Sequence, residues 1–90
     1  MKCRYHVLLG TKRTTVTLDR FLAELLTLSL SVPPNSPEAH PAVRTWLQEA
    51  LDRGNDPGRS MTSQWLTREV VKEVARPALV EAWYRAVVDT

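Results

Sequence analysis

The chain has 90 residues, 12 of them basic and 10 acidic, for a formal net charge of +2. That length sets one small domain with at most a tail, and its lone Cys3 excludes an intrachain disulfide. No Cys/His spacing suggests a metal, no glycine-rich phosphate loop or paired carboxylates suggest catalysis, and no apolar run is long enough for a bilayer. His6 and His40 stand beside no acid or nucleophile, and the N-terminus does not read as a signal peptide. The expectation is a cytoplasmic protein that is not an enzyme and has no catalytic residue, cofactor or metal. The charge is uneven: residues 1–20 hold five bases against Asp19 alone, net +4, and residues 21–90 hold seven bases against nine acids, net −2.

In chain order, residues 1–11 come first. Arg4–Leu9 is strand-like and has the option of folding back on 14–18 through Gly10-Thr11-Lys12-Arg13, but the expectation is a flexible arm. The run Arg13-Thr14-Thr15-Val16-Thr17-Leu18-Asp19 then alternates with period two. Arg13, Thr15 and Thr17 share one strand face, and Thr14, Val16 and Leu18 share the other. One strand forms no sheet alone, and the same strand of a second copy is the cheapest partner. That pairing gives an antiparallel two-stranded ribbon with hydroxyls and guanidiniums on one side, a shape that fits the major groove of B-DNA. The positive charge clustered beside it suits a phosphate-seeking surface, to which Lys2 and Arg4 add nonspecific contacts. Asp19 is placed to cap a helix in which Phe21, Leu22, Leu25 and Leu26 form one stripe. After Pro33, Pro34, Pro37 and Pro41, a second stripe comprises Ala42, Val43, Trp46, Leu47, Ala50 and Leu51, starting at Pro37 or at Pro41 and stopping on Gly54 as a left-handed C′ residue.

This strand–helix–loop–helix order resembles the ribbon–helix–helix family of DNA-binding dimers, over about Lys12 to Gly54, with Arg13-x-Thr15-x-Thr17-Leu18-Asp19 as its most specific element. The resemblance implies an α+β, β-α-α intertwined homodimer with an intermolecular ribbon. It implies base contacts from Arg13, Thr15 and Thr17, and phosphate held by Lys12 and around the second helix's start by Ser36, His40 and Arg44. The chain departs from the family in its long, proline-rich loop. Residues 12–54 are too few to bury a sufficient core alone, so Val16, Leu18, Phe21, Leu22, Leu25, Trp46, Leu47 and Leu51 are expected to pack as a dimer core.

Residues 55–90 read as a tail. Arg53–Ser60 is rich in turn formers and suggests a hinge, followed by apolar stripes on either side of Pro77. The tail packs either onto its own domain or, as expected here, onto a protein partner, poorly ordered until it arrives. Leu66, Val70, Val74, Leu79, Trp83 and Tyr84 are then its anchors. In antitoxins resembling this layout such a segment blocks a toxin, which makes an autoregulating repressor and antitoxin the leading function. A plain repressor or plasmid copy-control or partition protein is the alternative. An α+β interaction module without a DNA role is the third.

Overall fold

The computed structural model describes residues 1–54 and 62–88. Strands β1 (Lys2–Leu9) and β2 (Lys12–Asp19) are followed by helices α1 (Arg20–Ser29), α2 (Ala39–Arg53), α3 (Thr62–Val74) and α4 (Pro77–Trp83), and α4 runs on into a π-helical segment, Tyr84–Val88. The protein is thus a small α+β fold in which a two-stranded antiparallel sheet precedes the helices. None of these helices is long and apolar enough to cross a membrane.

Residues 2–9 are a strand rather than a flexible arm. They pair with β2 from Lys2↔Asp19 to Leu9↔Lys12, so β2 takes its partner from within the chain. The cause is local. Gly10 and Thr11 alone separate the strands, and Gly10 has φ 66° while Thr11 does not enter the positive-φ region. Glycine at the first central position is what a type II′ hairpin turn requires, and its twist matches that of the strands. Cys3, Tyr5 and Val7 alternate in phase with Leu18, Val16 and Thr14, so both strands present one apolar face to the same core.

The helices follow their caps. Asp19 accepts a hydrogen bond from the Phe21 amide at 2.9 Å and starts α1 as expected. At its other end the Ser31 amide bonds the Leu28 carbonyl and the Val32 amide bonds the Thr27 carbonyl, with Ser31 left-handed at φ 61°. This is a Schellman closure built on serine. α2 begins at Ala39, between the two expected starts, and Pro41 sits in its first turn, where the missing amide would have had no helical acceptor. Gly54 ends α2, but with φ −85° and ψ 171° it is extended, not left-handed. Its glycine character answers to packing instead: a Cβ there would run into the Trp65 ring.

The core gathers Tyr5, Val7, Val16, Leu18, Leu25, Leu26, Val43, Leu47, Leu51, Leu66, Val70 and Val74 from both strands and α1 to α3. Each fully buried Leu or Val contributes about 1.5–3 kcal/mol relative to exposure. Of the residues expected in a dimer core, Val16, Leu18, Leu25, Leu47 and Leu51 are buried within the single chain, and Leu22 and Trp46 pack against them partly buried. Phe21 differs. It is 39% exposed, because α1 turns Ala23, Leu25 and Leu26 inward and leaves Phe21 at the rim, edge-on to Trp83.

The expected tail also divides. The hinge over 55–60 lies outside the described residues. Leu66, Val70 and Val74, expected as partner anchors, are buried in the chain's own core, because α3 packs against β2 and α1 and closes it. Leu79 and Trp83 are partly buried against that core, while Tyr84 is exposed. Polar ties hold the segment in place: the Trp83 indole donates to Glu24 at 3.2 Å and Arg76 donates to Ser29 at 2.9 Å.

Candidate nucleic-acid interface

Register decides which side chains share the solvent face of the hairpin. Lys2, Arg4, His6 and Leu8 of β1 stand opposite Asp19, Thr17, Thr15 and Arg13 of β2, all on the face away from the helices. The three residues expected to contact bases, Arg13, Thr15 and Thr17, are therefore together, with Arg13 and Thr15 exposed and Thr17 half-buried. Beside them lie Arg4 and His6, which the sequence reading placed on a loose arm. Thr15 Oγ1 and His6 Nδ1 are 3.3 Å apart across the strands. Asp19 is this face's one carboxylate and is engaged in capping α1. The face thus offers guanidinium, ammonium, imidazole and hydroxyl groups, with Leu8, 54% exposed, as its apolar element.

The two edges of the hairpin are finished differently. Along β1, the outward amide and carbonyl of Leu8 are both taken by the Gln48 side chain, at 2.7 and 3.0 Å. The Arg4 carbonyl accepts from His40 Nε2–H at 3.1 Å. Along β2, Ser63 Oγ accepts from the Thr17 amide at 3.3 Å. The outward backbone groups of Arg13 and Thr15 have no partner among the described residues. Capped edges resist pairing with other chains, and an open edge invites it.

The residues expected to hold phosphate are scattered. Ser36 donates its hydroxyl to the Pro33 carbonyl at 2.8 Å. His40 is held by Arg4 and stacks on Tyr5, ring centroids 4.6 Å apart. Burial, with Cys3 adding to it, raises the Tyr5 phenol well above its usual range, so the ring under His40 stays neutral. Glu38 precedes the first turn of α2 and puts a carboxylate there, against an anion. Lys12 is exposed but pairs with Leu9, so it belongs to the helix-side face of the hairpin tip. Arg44 lines one cleft with Arg13 and His6 of the hairpin.

Arg4, expected only to add nonspecific contacts, and His6, not expected at the site, both join the solvent face of the hairpin. The signal for them was present in the alternation of Lys2, Arg4 and His6 with Cys3, Tyr5 and Val7 and in the short turn at Gly10-Thr11. Comparison with protein families, with curated proteins and with solved structures finds no match for the chain.

Proposed function

We propose that the chain is a sequence-specific DNA-binding regulator, a transcriptional repressor that reads base edges with the outer face of its hairpin. The observation that carries the reading is the exposed set Arg4, His6, Arg13 and Thr15, with Thr17, on one two-stranded antiparallel ribbon. The major groove admits such a ribbon. Arginine suits guanine edges, threonine suits several bases, and an apolar side chain such as Leu8 suits the thymine methyl. Two copies joined along the open β2 edge would widen the hairpin to four strands and set Arg13 and Thr15 of each copy side by side. The test is binding to DNA upstream of the protein's own gene, followed by fluorescence anisotropy. Arg13→Ala or Thr15→Ala should cost about 1–3 kcal/mol for a lost base-contacting pair while leaving the fold intact. Variants that bind this DNA as the wild type does would overturn the reading.

A protein partner is the second reading, favoured by the exposure of Val80, Tyr84, Val87 and Val88 at the C-terminal end. The resemblance to antitoxins makes a toxin that partner. Co-purification with the product of an adjacent small gene, lost on Tyr84→Ser, tests it.

A further inference from the structure

α2 runs beside the outer edge of β1, and Arg44, Gln48 and Asp52, spaced i, i+4, i+8 along one helix face, look onto it. Together with His6, Gly10 and Arg13 they line an open cleft of about 690 Å³. Its wall is firm, because Gln48 bonds both backbone groups of Leu8. In an antiparallel pair the outward-facing residues alternate, so the His6 amide, between the capped positions Arg4 and Leu8, points out of the same edge. It has no partner among the described residues. Arg13 arrives from β2 and Arg44 from α2, and neither enters an ion pair or a side-chain hydrogen bond among the described residues. The cleft's carboxylate, Asp52, accepts from Gln48 at 3.1 Å and lies two helical turns from Arg44, about 12 Å along the axis. The cleft therefore gathers two guanidiniums, an imidazole and a backbone donor against the single carboxylate of Asp52.

From this juxtaposition we infer that the cleft binds a phosphate group, that of a nucleic-acid backbone strand flanking the bases met by the hairpin. The backbone source rests on the DNA reading above; a free mononucleotide offers the same group. Paired guanidiniums with a main-chain amide suit phosphate oxygens in charge and geometry. The cleft lies where the reading face, through His6 and Arg13, meets the β1 edge and α2, and such a border is where a ribbon seated in a groove meets the flanking backbone.

The test uses the full chain, a labelled random-sequence duplex, and salt varied between about 50 and 200 mM. Arg44→Gln should weaken binding and lower the slope of log K against log salt by about one. Arg44→Lys should keep the slope, since the charge remains. Lys72→Gln, whose ammonium pairs with Glu69 on α3, should change neither quantity. Inorganic phosphate and a mononucleotide, titrated separately, should shift the His6 and Gln48 amide resonances in the wild type and not in Arg44→Gln. If the duplex binds and Arg44→Gln alters neither slope nor shifts, the cleft assignment falls while the hairpin reading stands. If the duplex does not bind but either small anion gives Arg44-dependent shifts, the cleft stands and the DNA reading falls. Arg44 is exposed, so an unchanged melting curve confirms that the variant is folded.

Discussion

α3 and the stretch from Pro77 to Val88 lie end to end, and their sequences carry the same kind of stripe, yet they meet different fates. Leu66 and Val70 of α3 are fully buried and Val74 nearly so. α4 and its π-helical continuation contain no buried residue, and Val80, Tyr84, Val87 and Val88 face solvent. Apolar residues at helical spacing say that a face wants covering; they do not say what covers it. α3 crosses β2 and α1 and fills a core that the strands and first two helices leave open. α4 packs on α1 through Leu79 and Trp83, and its opposite face meets nothing among the described residues.

The contrast is open to direct test by urea unfolding. The largest effect is expected at Leu66→Ala, about 2–5 kcal/mol through loss of contacts and a cavity. A loss below 1 kcal/mol would mean that α3 is not part of the core. Gly54→Ala should cost about 1–3 kcal/mol, because the added methyl would strike the Trp65 ring and push α3 from the end of α2. Gly54→Ala combined with Trp65→Leu should recover part of that loss, which separates the clash from any backbone effect. At the α4 boundary, Glu24→Gln should cost about 0.5–1.5 kcal/mol by weakening the acceptor of the Trp83 indole. It should leave hydrogen exchange in α3 unchanged while speeding it in α4. The smallest effect is expected for Val80→Ser and Tyr84→Ser, within about 0.5 kcal/mol each. A larger loss would show that this face is covered in solution.

The hairpin poses the same question at its edges. β1 is capped at Leu8 and at the Arg4 carbonyl by Gln48 and His40, side chains more than thirty residues away, whereas β2 is capped, among the described residues, at the Thr17 amide alone of its outward groups. Which edge is open could not be read from either strand's composition.

Much of the local structure was legible. The alternation over Arg13–Leu18, the Asp19 cap, and the buried positions Leu25, Val43, Leu47 and Leu51 all follow from period and capping chemistry, because these depend on neighbours within a turn or a strand. The solvent face of the hairpin was half legible: Arg13, Thr15 and Thr17 declared themselves by spacing, but Arg4 and His6 joined them only once Gly10 turned the chain back. The shortage of core in residues 12–54 was legible too, and the chain itself supplies what was missing, with Tyr5 and Val7 on one side and Leu66, Val70 and Val74 on the other. Tertiary structure alone decided that supply, the rim position of Phe21, the contact that makes Gly54 necessary, and the cleft that brings Arg13 to Arg44. The physical reason is that periodicity reports which face of an element is apolar, a local property, whereas burial depends on which distant segment arrives to cover it.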